Sequence, residues 1–244
     1  MAQPYTPEEL MAVVISREVR DGETIGIGAA SPVPAAGCIL AGQLHAPRAS
    51  IIILGSEEYY PFPAGSSELH FMAQKGELDL FFLSGIQIDR AGNINLHVLG
   101  TYEDPRVRLP GAYGSAMLYH MARRVILYRT EHTKRTFVEK VDFVTAAGVL
   151  PESASREGGP SLVVTPRAML AWDRERREWT LAAVHPGSTA IDVEENTGFP
   201  LRVQQPVSMT PLPTRQELRL LRTRVRDKLR KIYPGFVERK IMPA

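Results

Sequence analysis

Four consecutive aliphatic residues, Ile51-Ile52-Ile53-Leu54, run without a polar interruption and stop at Gly55-Ser56-Glu57-Glu58. A strand with one wet face alternates polar and apolar residues. An unbroken run suits a strand buried on both faces, as in a parallel sheet covered by helices. The neighbouring segments extend that reading. Residues 24–28 form a short strand ending in small residues, and residues 35–44 read as a helix. Residues 78–84 and 125–128 are further strands, separated by a small-residue loop at 110–115 and a helical stretch at 117–123. Short strands then follow at 94–99, 136–138, 143–145 and 161–165, and residues 152–160 form a polar loop. Early strand–helix alternation followed mostly by strands predicts an α/β fold with a largely parallel sheet.

Helix starts are marked chemically. Thr6 can cap, Pro7 suits the first helical position and Glu9 closes a capping box, with Leu10, Val13, Val14 and Ile15 as an apolar stripe and Gly22 as a stop. Thr214 and Glu217 repeat the box ahead of a C-terminal helix that runs to about Ile232. At 244 residues with 44% hydrophobic content, the chain can build a core without staples, which excludes disordered and disulfide-rich classes. The one cysteine, Cys38, allows no intrachain disulfide and points to a reducing, cytoplasmic compartment. The six histidines show no ligand spacing, so no metal site is expected. No apolar run reaches the roughly 18–20 residues of a membrane span.

Formal net charge is only +2, which argues against a nucleic-acid partner. The charge is uneven, however. Residues 215–240 hold ten basic and three acidic residues, a local +7 that leaves −5 for the rest. Arg219, Arg222, Arg226 and Arg230 could meet phosphates. Leu218, Leu221, Val225, Leu229 and Ile232 recur at helical spacing, which favours an ordinary amphipathic helix with its charges on the outer side. His185, in His185-Pro186-Gly187, reads as a structural turn residue rather than a catalyst.

Glycine-bearing turns follow several strands: Gly26 and Gly28, Gly55, Gly85, and Gly111 with Gly114. Ligands of open α/β sheets sit outside the carboxyl ends of strands, where glycine lets main-chain N–H groups approach an anion. Gly26-Ile27-Gly28 lacks the third glycine of a dinucleotide fingerprint, and neither a P-loop nor a Gly-x-Ser-x-Gly elbow is present. Glu57 and Glu58 stand just past the buried strand, where a carboxylate can act as a nucleophile on an activated carbonyl.

These features occur in a longer order. The stretches TPEELMAVVISREVRDGETIGIG, APRASIIILGSE, RLPGAYGS and KRTFVEKVDFVTAAG are joined by Gln87-Ile88-Asp89 with Gly92-Asn93 and Asn95, and by Asp192-Val193 with Asn196-Thr197-Gly198-Phe199. In that order, over about residues 5–232, the chain resembles the β subunits of family I CoA-transferases of the glutaconate CoA-transferase type. The bacterial steroid-ring-opening CoA hydrolase contributes a β chain to the same superfamily. The resemblance implies a CoA-transferase-like α/β fold over residues 1–244, a single domain with an open, mostly parallel sheet flanked by helices. It implies a CoA-transferase α subunit as partner in a hetero-oligomer, and an acyl-CoA thioester as substrate with no bound cofactor. It also implies covalent catalysis by a glutamate of the β chain, assigned here to Glu57, and an oxyanion loop at Gly111, Ala112, Tyr113 and Gly114. Gly26, Gly28, Gly55, Gly85 and Gln87 are expected to line the cleft. One departure stands out. Counted without gaps, Leu54 occupies the position of the transferase glutamate. Either the turn is remodelled so that Glu57 enters the site, or this chain has lost the nucleophile and, as the resemblance to the ring-opening hydrolases implies, is the β subunit of a hydrolase that opens a ring of a CoA-linked catabolic intermediate with a glutamate of the α subunit. A third reading is an acyl-CoA-binding subunit without turnover.

Overall fold

The computed structural model describes residues 4–63, 65–151 and 158–243, so most of the loop expected at 152–160 lies outside the described residues. The first half builds the sheet core. Helix α1 (Pro7–Glu18) leads to β1 (Thr24–Ile27), α2 (Pro32–Leu44) to β2 (Ser50–Ile53), and α3 (Ser67–Gln74) to β3 (Leu80–Leu83). Four short strands follow: β4 (Gln87–Asp89), β5 (Ile94–Asn95), β6 (Val98–Gly100) and β7 (Pro105–Arg108). Next come α4 (Ser115–Met121), β8 (Arg124–Tyr128), β9 (Phe137–Val138), β10 (Pro160–Val164), β11 (Ala168–Asp173), β12 (Glu178–Val184), α5 (Ala190–Glu195) and β13 (Arg202–Val203). The chain closes with α6 (Arg215–Leu220), a π-helical turn over Leu221–Val225, α7 (Arg226–Ile232) and α8 (Pro234–Lys240).

The main sheet has eight strands in the order β13-β12-β11-β10-β8-β3-β1-β2. From β2 to β10 every pairing is parallel, whereas β11 is antiparallel to both its neighbours. β1 pairs β2 on one side and β3 on the other, so the winding direction reverses there. Both faces are covered. Ile25, Ile27, Ile53, Leu80, Phe82 and Ile126 join α1, α2 and the C-terminal helices in one apolar cluster. Ile52, Leu54, Phe81, Leu83, Val125 and Leu127 point the other way, into a cluster with Leu69 of α3, Leu118 of α4 and Trp179 of β12. This two-sided burial is what the Ile51–Leu54 run required.

The expected capping boxes form at Thr6/Glu9 and Thr214/Glu217. Two strand expectations do not hold. The segment 94–99 splits, because Asn95 Oδ1 accepts the N–H groups of His97 (3.0 Å) and Val98 (3.3 Å) and turns the chain out of the ladder. Residues 143–145 form no strand. Thr145 Oγ1 instead accepts the N–H of Leu96 at 2.8 Å, and only Ala146 bridges Ile94. The β11–β12 hairpin has no counterpart in the sequence-based expectations.

The basic C-terminal segment is in part internal. Arg222 is buried against Glu9, with Nη2 2.8 Å from Oε2, and Glu9 Oε1 also accepts the N–H of Met242 at 3.0 Å. Replacing such a pair with apolar residues can be neutral, but removing one partner strands a buried charge, which typically costs about 3–5 kcal/mol.

His132 and His185 form a polar seam within the described core. His132 lies 2.9 Å from Thr165 Oγ1 and 3.0 Å from Thr197 Oγ1, and Thr197 in turn donates to the Val193 carbonyl. His185 lies 2.8 Å from Thr210 Oγ1. Burial pushes both imidazoles down to about 4 from 6.5. The unfolded chain therefore binds protons that the folded chain refuses between pH 6.5 and 4. This contribution is fully present above about pH 7 and is lost as the pH falls through that window. We expect each imidazole to lower unfolding free energy by on the order of 1–2 kcal/mol between pH 7 and 5, measured by urea titration. His132→Gln should flatten that slope. An unchanged slope would show that His132 is not a source of it.

Candidate active site

A cavity of about 470 Å³ opens at the carboxyl ends of β1, β2, β3 and β8, where the winding reverses. Its wall at β1 is Gly28-Ala29-Ala30-Ser31, at β2 Leu54-Gly55, at β3 Leu83-Ser84 and at β8 Tyr128. Side chains knit these strand ends together. Ser84 Oγ donates to the Tyr128 carbonyl at 2.9 Å, and the Tyr128 hydroxyl donates to the Ala30 carbonyl at 3.2 Å. Burial holds the Tyr128 phenol above its ordinary range.

The opposite wall is Gly111-Ala112-Tyr113, which precedes α4. Three residues here are left-handed: Gly111 (φ 107°), Tyr113 (φ 42°) and Gly114 (φ 71°). A non-glycine residue in that region carries strain of order 1–3 kcal/mol and persists only where its surroundings hold it. Among the described residues, no main-chain acceptor takes the N–H groups of Gly111, Ala112 or Tyr113. Gly114 caps α4, and a Cβ there would collide with the His70 ring. The loop is also tied from below, where the N–H of Leu109 donates to the His97 carbonyl at 2.8 Å.

The sequence-predicted residues fall into two groups. Gly28, Gly55, Gly111, Ala112 and Tyr113 come together on the cleft. Glu57, expected as the nucleophile, does not line it. Glu57 is exposed and faces a separate hollow shared with Glu58, Lys231 and Ile232. The reason lies in the turn after β2. Ser56 Oγ accepts the N–H of Tyr59 at 3.1 Å, and Lys228 Nζ reaches both the Tyr59 hydroxyl (2.8 Å) and Glu58 (3.2 Å). Lys231 adds a second contact to Glu58 at 3.5 Å. These cations hold Glu58 below the usual carboxylate range, Lys228 most strongly, and draw the turn toward α7. Leu54, only 7% exposed, is the residue that the strand end presents to the cleft.

Gly26, Gly85 and Gln87 also lie off the cleft, because each has a packing role. A Cβ on Gly26 would stand 2.5 Å from Phe81 Cδ2, and one on Gly85 would stand 2.7 Å from the Gln87 carbonyl. Gln87 Oε1 accepts from Asn95 Nδ2 (2.8 Å) and the Asp142 N–H (2.9 Å). Asp89 caps the Ala91 and Asn93 N–H groups, and its carbonyl accepts from the Trp179 indole at 3.0 Å. The Gln87-Ile88-Asp89 motif thus braces the small sheet β5-β4-β9. His185 is buried in the core and does not line the cleft. Ser31, Ser84 and Tyr128 line the cleft without having been singled out in the sequence. The signal for Ser84 and Tyr128 was their place immediately after or at the end of a buried strand, and that for Ser31 its place ahead of Pro32 at the start of α2.

Among the described residues, no carboxylate, imidazole, thiol or cation lines the cleft. This chain offers it apolar walls, hydroxyl oxygens and the N–H groups of a strained loop. A carbonyl could be gripped and polarised there, but its proton transfers would require groups from elsewhere.

A strand-end crevice of this kind, on this topology, defines an α/β subunit of the coenzyme A transferase type. Residues 38–196 match the Coenzyme A transferase family, and the chain belongs to it. It is 31% identical over 235 residues to the B-type subunit of glutaconate CoA-transferase from Acidaminococcus fermentans, covering 84% of this chain and 87% of that one. The match to the B-type subunit of 3-oxoadipate CoA-transferase from Pseudomonas knackmussii is 31% over 243 residues, 89% and 92% of the two chains. A shorter match, 31% over 142 residues (56% and 55%), links it to the IpdB subunit of the cholesterol ring-cleaving hydrolase of Rhodococcus jostii. The crystal structure of the Acidaminococcus fermentans glutaconate coenzyme A-transferase superposes with a TM-score of 0.83 over 100% of both chains at 25% identity. The chain is therefore a subunit of the B type. Among the described residues, no helix is long and apolar enough to cross a membrane.

Gly114→Ala is expected to lower stability by about 1–2 kcal/mol, through both the left-handed backbone and the His70 collision. The thermal unfolding midpoint reads this directly. Adding His70→Ala should recover part of the loss, because the two changes share one contact.

Proposed function

We propose that this chain is the B half of a two-chain cytoplasmic enzyme acting on acyl-CoA thioesters, and that the reacting carboxylate comes from an α-type partner chain. Leu54 carries the reading. A transferase carboxylate attacks the thioester carbonyl carbon, forming an acyl anhydride as the CoA thiolate leaves. A leucine at the strand end has no electron pair to offer, and Glu57 is turned toward α7. The geometry therefore favours hydrolysis over covalent CoA transfer.

In the hydrolytic course, a partner carboxylate takes a proton from water while the water oxygen adds to a ketone carbon β to the thioester. The carbon–carbon bond between that carbon and the α carbon then breaks. Its electron pair becomes a thioester enolate, and the proton returns to the α carbon. The enolate oxygen carries the developing charge, and the N–H groups of Gly111, Ala112 and Tyr113 are the donors that this chain supplies to it. The Rhodococcus jostii relative, matched over a shorter stretch and named as part of a ring-cleaving hydrolase, supports the reading. Ring opening of a CoA-linked catabolic intermediate is the case in which both fragments stay joined.

The test uses the chain purified with its α-type partner. During turnover on a β-keto acyl-CoA, borohydride trapping and mass spectrometry should find no glutamyl-CoA adduct on this chain. Heavy oxygen from solvent should enter the opened product. Glu57→Ala should keep activity within about twofold. An adduct on Glu57, with activity lost in Glu57→Ala, overturns the proposal in favour of CoA transfer.

A further inference from the structure

We infer that the acyl group taken by this cleft is a neutral, hydrocarbon-like one, and that acyl groups ending in a second carboxylate are disfavoured. The inference rests on the acyl-CoA reading above and adds the substrate class. Relatives named for glutaconate and 3-oxoadipate are named for dicarboxylic acids. A second carboxylate entering a closed site must keep its charge compensated, by a cation or by several free hydrogen-bond donors.

The inner part of this cleft provides neither. Its wall there is Leu54, Phe81, Leu83 and Leu118, with the partly exposed Leu96 beside them, and among the described residues no Arg, Lys or His lines it. The loop N–H groups of Gly111, Ala112 and Tyr113 are the donors assigned to the thioester oxygen, so they do not serve a second anion. The hydroxyls are largely committed. Ser84 Oγ–H goes to the Tyr128 carbonyl, the Tyr128 hydroxyl to the Ala30 carbonyl, and Ser115 Oγ–H to the Ala112 carbonyl. Each therefore turns lone pairs, not a proton, toward a ligand. Of the other phenols, Tyr60 is hydrogen-bonded to Ser66, and Tyr113 is exposed. Along this wall a carboxylate would meet oxygen lone pairs, leucine methyl groups and the neutral phenols of Tyr60 and Tyr113, with no cation among the described residues of this chain beside it. A neighbouring hollow that shares Ala30, Ser84 and Tyr128 with the cleft does hold basic groups. Two of the three are engaged in ion pairs, Arg129 with Glu131 at 2.7 Å and Lys240 with Glu8 at 2.6 Å, whereas the third, Arg239, is exposed and lines that hollow rather than the cleft. The cleft volume of about 470 Å³ is within the range of small-molecule sites, so an alicyclic or branched acyl group fits without opening the sheet.

The experiment compares cyclohexanecarbonyl-CoA with glutaryl-CoA, using the two-chain enzyme and calorimetry, with free CoA as the common reference. The neutral thioester should bind at least about tenfold more tightly than glutaryl-CoA. Leu96→Lys places a cation on the partly exposed part of the wall, where the fold tolerates it. It should raise glutaryl-CoA affinity at least about tenfold. Glutaryl-CoA binding to the unaltered enzyme as tightly as the neutral thioester overturns the inference and leaves the acyl-CoA reading intact. Binding of neither thioester nor of CoA overturns that underlying reading itself.

Discussion

The reversal of winding at β1 is the constraint from which the site follows. A four-residue strand is paired on both edges, with β2 to one side and β3 to the other. The chain segments leaving β1 and β3 must therefore depart in opposite directions, and a gap opens between them. Gly26 makes the pairing possible at this spacing, because Phe81 occupies the space that its side chain would need. The cleft is thus set by main-chain topology, and the residues at the strand tips determine its chemistry. At β2 that residue is Leu54.

The electrostatics reinforce this outcome. The basic C-terminal segment reads in sequence as a possible phosphate site, yet four of its ten basic residues, Arg222, Lys228, Lys231 and Lys240, pair with carboxylates of the protein itself. Arg222 neutralises Glu9 inside the core, while Lys228 and Lys231 gather Glu58. The second contact matters for the site, because it fixes where the acidic turn after β2 points. A carboxylate three or four residues from the expected position is chemically remote when its loop is clamped to another element.

Burial pattern made much of the fold legible in the sequence. Ile51 to Leu54 announced a doubly covered strand, and the Thr6/Glu9 and Thr214/Glu217 pairs announced helix starts through the hydrogen bonds they make. The β11–β12 hairpin was hidden, because its turn carries no glycine or proline. Asp173 Oδ1 instead accepts the N–H groups of Glu175 and Arg176, and Arg177 takes the left-handed conformation (φ 56°) usually left to glycine. For the site, the glycines next to strand ends were a usable signal but not a sufficient one. Gly28 and Gly55 face the cleft, whereas Gly26 and Gly85 are small because a neighbour crowds them. Sequence shows that a position must be small. Whether a ligand or a phenyl ring demands it depends on contacts distant along the chain. The Gln87-Ile88-Asp89 and Asn196-Thr197 motifs carry the same lesson, since both are recognisable and both serve as scaffolding.

The contacts around Glu9 also join remote parts of the chain. Thr6 Oγ1 donates to the Lys240 carbonyl at 2.7 Å, Met242 donates to Glu9, and Arg222 reaches the Pro4 carbonyl at 2.6 Å. The lead-in to α1 and the tail of α8 are thus latched to one carboxylate. Neither can fray alone without exposing the other, so in hydrogen–deuterium exchange the two segments form a single cooperative opening unit. Protease access to one would then report on the detachment of both.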